Sequence, residues 1–240
     1  MTVIVNRSSQ EQELPEILDL EYVILVPGDS FNMEFLHSWS ATLSYLYSLG
    51  KKFCFFFARS SVVSDVRNTL LSSSQFVRYE HTPESLKSAE VFDGKIICKK
   101  VIMIDSDMVW TIDDFKKLIE SPHDVTVGVY AFKDNYKVSV RKLNEPLFLT
   151  KEELSRETEP FPVSNSGLGF TCVSFEALKS LKFPWFYVTE HALAIDNKMV
   201  QRLQGEDFNF FQNLLAAGYI PMADPSIKVG HTKPLTLYPY

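Results

Sequence analysis

The stretch VIMIDSDMVW, residues 101–110, ends an apolar run in two carboxylates, Asp105 and Asp107, separated by one serine. In extended backbone such residues point to the same side, so both acids can face one site. Carboxylates aimed together repel unless they are protonated, solvated or bridged by a cation. A divalent hard ion such as Mg²⁺ or Mn²⁺, shared with substrate phosphates, is the common resolution. The alternative is that one aspartate caps the turn into the next helix and the other is merely solvated, since short acidic motifs arise often by chance. Against that, Thr111 already supplies a cap, and both acids follow an apolar strand directly.

The elements that would position these acids can be read on either side. Residues 22–27, YVILVP, form an apolar run closed by Pro27 and Gly28, the pattern of a strand buried on both faces. From Ser30, the residues Phe35, Trp39, Leu43 and Leu46 recur at helical spacing up to a stop at Gly50. Residues 51–58, KKFCFFFA, predict a second buried strand, and 64–71 a short helix capped by Ser64 or Asp65. A strand at 100–104 leads into the carboxylates. Thr111 then opens a helix with Asp114 in the capping-box position, and 124–132 is a further strand. Strands alternating with helices predict an α/β fold, a mostly parallel sheet covered on both faces.

Beyond 132 the pattern degrades. Residues 133–143 suit a hairpin arm, and 144–163, with Pro146, Pro160 and Pro162, an irregular surface excursion. Order returns at 166–181. Residues 205–219 predict a helix with Phe208, Phe211 and Leu215 on one face, acids in its first turn and Gly218 at its end. A last strand, SIKVGH, leads to His231.

Composition narrows the function classes. A chain of 240 residues, 45% hydrophobic, can bury one substantial core, so a single domain is expected. The formal charge of −6 and the lack of a basic stripe argue against nucleic-acid binding. Cys54, Cys98 and Cys172 form no CxxC pair and no disulfide framework, which fits a reducing compartment and buried thiols. The apolar patch at residues 2–5 is too short for a signal-peptide core, and no run approaches the roughly 18 residues of a membrane span. These features predict a cytoplasmic protein.

VIMIDSDMVW resembles the D-x-D segment of GT-A-fold glycosyltransferases, which use a nucleotide-sugar donor and a divalent metal. Its companions occur in the family's order: ILVPG like the first nucleotide-binding strand, SGLGF like the glycine-containing segment, GEDFNFFQNLLAAGY like the acidic helix start, and VGH like a late metal-ligand histidine. The set spans residues 22–231 and is most similar to the short GT-A proteins of phages and large viruses, more distantly to the large inverting family. The resemblance implies one domain over 1–240 with a Rossmann-like mixed sheet. Residues of about 20–132 would bind the nucleotide sugar, and those of about 133–240 would form the acceptor side.

It further implies that Asp107 and His231 ligate Mn²⁺ or Mg²⁺, with Asp105 on the metal through water or on the ribose. Asp207 or its neighbour Glu206 would be the catalytic base. A carboxylate suits that task, although acids are favoured in a first helical turn whatever their function. Arg67 would lie near the diphosphate, Pro27 and Gly28 at the nucleobase, and Gly167 and Gly169 near the donor sugar. Trp185 could stack on an acceptor or belong to the core. The donor would be UDP- or GDP-linked and the acceptor a glycan, protein or small molecule.

The chain also departs from the large inverting family. Arg59 and serines stand where that family carries an acid after its second strand, and no QxxRW-type motif is present. Two alternatives remain open. A sugar nucleotidyltransferase would normally carry a Gly-rich, basic loop after its first strand, whereas VPGDSFN has one glycine and no Lys or Arg. A non-catalytic nucleotide-sugar or glycan-binding module would keep the fold without turnover.

Overall fold

The computed structural model describes residues 17–28, 30–72, 89–132, 136–195 and 198–233. The apolar patch at residues 2–5 and the first three residues of the expected hairpin arm lie outside them.

The apolar runs build one eight-stranded sheet. Its strands are β1 (Leu18–Pro27), β2 (Phe53–Ala58), β3 (Ile96–Ile104), β5 (Val125–Val129), β6 (Val140–Lys142), β7 (Phe161–Ser166), β8 (Phe170–Ser174) and β11 (Met222–Lys228). They lie in the order β2-β1-β3-β8-β5-β11-β7-β6. Pairing is parallel for β1 with β2 and β3 and for β5 with β11. It is antiparallel where β8 meets β3 and β5, and where β7 meets β11 and β6. Six strands therefore share a direction and two oppose them, a mixed and mostly parallel sheet. β8 comes from the second half of the chain yet sits between β3 and β5, so the carboxylate-bearing strand has a late segment as its direct neighbour.

The helices cover this sheet for reasons visible in their caps. In α1 (Met33–Ser48), Asn32 accepts from the Phe35 amide at 2.6 Å, and Phe35, Trp39 and Leu46 turn inward. The helix ends before Gly50, whose φ of +61° suits glycine. In α3 (Ile112–Glu120), Thr111 and Asp114 form the expected reciprocal capping box. The intervening α2 (Val63–Leu71) starts at Val62, without the side-chain cap expected from Ser64 or Asp65. A short α4 (Lys151–Leu154), with its own capping box between Thr150 and Glu153, breaks the region read as irregular. α5 (Phe175–Lys179) follows β8, and α6 (Glu206–Ala216) carries the second acidic pair.

Three expectations change in detail. KKFCFFFA is an edge strand, so Phe57 stays 36% exposed where burial on both faces was expected. The inward face of α6 is Asn209, Phe210, Phe211 and Leu214, offset from the expected stripe of Phe208, Phe211 and Leu215. Between α5 and α6, β9 (Thr189–Ile195) and β10 (Lys198–Gln204) form an antiparallel hairpin that the sequence pattern did not reveal. The three cysteines are free and buried, as expected. Among the described residues no helix is long and apolar enough to cross a membrane.

Candidate active site

Because β1, β2, β3, β5 and β11 run the same way, their carboxyl ends meet along one edge, where open α/β sheets bind ligands. β3 reaches that edge at Ile104, and Asp105 is fixed there by its amide, which donates to Gly169 O at 2.9 Å. The Met108 amide closes a tight turn onto Asp105 O at 3.1 Å, leaving Ser106 at its apex. The apex packs on Gly28. A Cβ there would lie 2.3 Å from Ser106 Oγ, and the φ of +151° is itself a glycine conformation. The glycine that closes β1 thus makes room for the aspartate turn.

The chain's late segment returns to the same turn. β4 (Met108–Val109) pairs antiparallel with β12 (Gly230–His231), His231 opposite Met108. The ladder continues as the Thr232 amide and hydroxyl both donate to Asp107 O, at 2.9 and 2.7 Å. Asn32, already the cap of α1, donates to Thr232 Oγ at 2.7 Å. This strap carries His231 Nε2 to 3.1 Å from Asp107 Oδ2, and Lys233 Nζ to 2.6 Å from the same oxygen. His231 Nδ1 lies 3.0 Å from Ala131 O, a bond in which only the ring N–H can donate. In the neutral ring Nε2 therefore presents a lone pair toward Asp107, the donor set of a divalent cation. Burial alone would raise the Asp107 carboxyl; Lys233, and His231 in the ring form that donates from Nε2, outweigh it and bring it down to about 2.

Asp105 faces a different partner. Arg67, projecting from α2 and only 5% exposed, donates from Nη2 to Asp105 Oδ1 at 2.7 Å, with its Nε 3.9 Å from Glu206 Oε1. Burial works against the guanidinium charge, but Asp105, Asp207 and Glu206 together hold it in place. Its Nε and Nη1 are buried with no hydrogen-bond acceptor among the described residues. Arg67 is thus the link between the aspartates after β3 and the acidic pair that opens α6. There the Asp207 carboxyl is pushed up to about 7, first by burial and then by Glu206, with Arg67 pulling the other way. Pro27, Gly28, Arg59, Arg67, Asp105 and Asp107 line a cleft of about 270 Å³ at this edge.

The expected metal triad is divided. Asp107 and His231 meet, whereas Asp105 is taken by Arg67. Among the described residues no three His, Cys, Asp or Glu side chains are grouped closely enough to hold an ion by themselves. The pair Asp107–His231 fits a Mn²⁺ or Mg²⁺ site with two direct protein ligands, completed by substrate oxygens.

Gly167 and Gly169 make room for a residue the sequence did not single out. A Cβ on Gly167 would lie 1.9 Å from Tyr130 Oη, and one on Gly169 would lie 3.1 Å from it. The phenol accepts from the Gly169 amide at 3.3 Å, and its ring meets His231 edge-on at 5.0 Å. A polar aromatic just past β5, at the carboxyl edge, was the available signal. Trp185 is wholly buried, so it is core and offers no stacking surface. Asn68, next to Arg67, accepts from the Trp185 and Phe186 amides, each at 3.1 Å, and ties that core segment to α2.

No protein-family profile matches the chain, and no curated protein sequence does. Solved structures with a similar chain course include A197 from STIV, at 17% identity and a TM-score of 0.47 over 91% of this chain and 97% of that one. GalNAc-T7, crystallised with UDP, GalNAc and Mn²⁺, is similar at 12% identity and a TM-score of 0.49, over 90% of this chain and 44% of its own. The inositol-1-phosphate CTP transferase of T. maritima is similar at 10% and 0.42, over 89% of both chains. At these values the likeness is one of chain course and assigns no role to a residue.

Proposed function

We propose that this protein is a metal-dependent glycosyltransferase that moves one sugar from a nucleoside-diphosphate sugar to an acceptor hydroxyl. The reading rests on one observation: the Asp105–Asp107 turn, the His231 strap and the Glu206–Asp207 pair converge at one sheet edge around Arg67. The cleft beside Pro27, Gly28 and Arg59 is the natural seat for the nucleotide. Asp107 and His231 would hold Mn²⁺ or Mg²⁺, which supplies Lewis-acid stabilisation of charge on the departing diphosphate.

Asp207 serves as general base. As the acceptor oxygen attacks the anomeric carbon, its proton passes to the Asp207 carboxylate, and the bond from that carbon to the diphosphate oxygen breaks. A carboxyl poised near 7 is suited to this, because enough of it is ionised at neutral pH while its basicity exceeds that of an ordinary aspartate. Glu206 raises that basicity and Arg67 limits the rise. Direct attack of this kind inverts the anomeric centre.

The test is release of UDP or GDP from the corresponding sugar nucleotides in Mn²⁺, by wild type and by Asp107→Ala. Metal-dependent release that the variant loses is expected. Arg59 on the cleft wall supplies a cation that the first loop lacks, which keeps sugar nucleotidyl transfer as a second reading. Pyrophosphate released from a nucleoside triphosphate and a sugar phosphate, with no turnover of sugar nucleotides, would replace the first reading by the second. Binding without either turnover would identify a glycan- or nucleotide-sugar-binding module.

A further inference from the structure

The strap that brings His231 to Asp107 also brings a cation of its own. Three consecutive residues close on this one aspartate: His231 by its ring, Thr232 by its amide and hydroxyl, and Lys233 by its ammonium. The first two are anchored. His231 is held by Ala131 O and the Tyr130 ring, and Thr232 by Asn32 and the backbone ladder. Lys233 is held by the carboxylate at the end of a flexible four-carbon stem, and its side chain is 39% exposed. Its ammonium and His231 Nε2 lie against the same oxygen, Oδ2.

We propose that Lys233 is a competing cation at the metal position, so that its ammonium and a divalent ion exclude one another at Asp107. This rests on the reading that Asp107 and His231 are the metal ligands. An ion bound to Oδ2 at about 2.1 Å would lie no more than about 4.7 Å from an ammonium kept 2.6 Å from that oxygen. Two like charges at that separation in a half-buried site repel, and the mobile one leaves. The ion therefore enters by displacing Lys233. An ion that arrives with a nucleoside diphosphate also brings the negative charge that compensates the released ammonium. The strap accordingly favours entry of metal and nucleotide together over metal alone.

The test is calorimetric titration of MnCl₂, without nucleotide, into wild type, Lys233→Met and Lys233→Arg. Removing the ammonium is expected to tighten Mn²⁺ binding at least ten-fold, while the arginine variant stays close to wild type. Adding Asp107→Ala should abolish the difference. Unchanged or weaker affinity in Lys233→Met, including no detectable Mn²⁺ binding in any variant, overturns the proposal. So does a wild type that binds UDP or GDP equally well in EDTA and loses that binding in Lys233→Met, because Lys233 would then be the permanent cation of the site. Metal-dependent turnover of sugar nucleotides by wild type is scored separately, so the proposal can fail while the glycosyltransferase reading stands.

Discussion

Asp107 and Asp207 are the same residue type on the same sheet edge, yet their surroundings drive them in opposite directions. Asp107 is half-exposed and has His231 and Lys233 on one oxygen, which brings its carboxyl down to about 2. Asp207 is partly buried beside Glu206 and Asp105 with Arg67 as the nearby cation, and desolvation and Glu206 raise its carboxyl to about 7. A permanently ionised acid is a cation ligand; one that titrates near neutrality can accept a proton. Neighbours and burial, more than residue type, divide the labour between the two acids.

The comparison breaks most visibly if Asp207 is neutralised for good. Asp207→Asn should lower turnover by about 10² to 10⁴-fold while sparing metal-dependent nucleotide binding, and Asp107→Asn should weaken that binding itself. Equal loss of binding in both variants would merge the two roles. Next in size is Arg67→Met, which leaves Asp105, Glu206 and Asp207 without their shared cation. Breaking a buried pair on one side costs about 3 kcal/mol, lowering Tm by about 6 to 12 °C for a chain of this length. A smaller loss in an Asp207→Asn background would show that Arg67 is held there by the acids.

The two carboxyls also separate in pH. Asp207 has a folded value raised above its ordinary 3.8, so the folded state holds its proton more tightly. Its contribution to stability therefore declines as pH climbs from about 4 to about 7. Turnover should rise through the same window, and Asp207→Asn should flatten the stability curve there. Asp107 has a folded value depressed from 3.8, so its contribution is complete above about pH 4 and is lost as pH falls toward 2. Thermal melts across pH 2 to 8 read both. The smallest expected effect is at the glycines. Gly167→Ala should cost about 1 to 3 kcal/mol by overpacking against the Tyr130 hydroxyl, with partial relief in Tyr130→Phe.

Much of the Asp105–Asp107 side of the site was legible in the sequence because it is local. The D-x-D turn follows an apolar strand, Thr111 and Asp114 are three apart, and Gly28 closes β1. Each signal sits within a few residues of the structure it dictates. The Glu206–Asp207 side was legible only as an acidic helix start. What sets Asp207 apart is its burial beside Glu206, and the cation that tempers it, Arg67, lies 140 positions earlier in the chain, a contact no periodicity reports. The small pairing of β4 with β12 lay hidden for the same reason, since its two strands are more than 100 positions apart. Gly167 and Gly169 stood out, but the residue that needs their missing side chains, Tyr130, lies just past β5, nearly 40 positions away.

The most direct measurement is calorimetric titration of UDP and GDP into the protein with and without Mn²⁺, repeated on Asp107→Ala. Binding of one nucleotide that requires the metal and disappears in the variant is the predicted result and identifies the donor base. If neither nucleotide binds with or without the metal, or if Asp107→Ala binds as wild type does, the site at the carboxyl edge is not a metal-dependent nucleotide-sugar site.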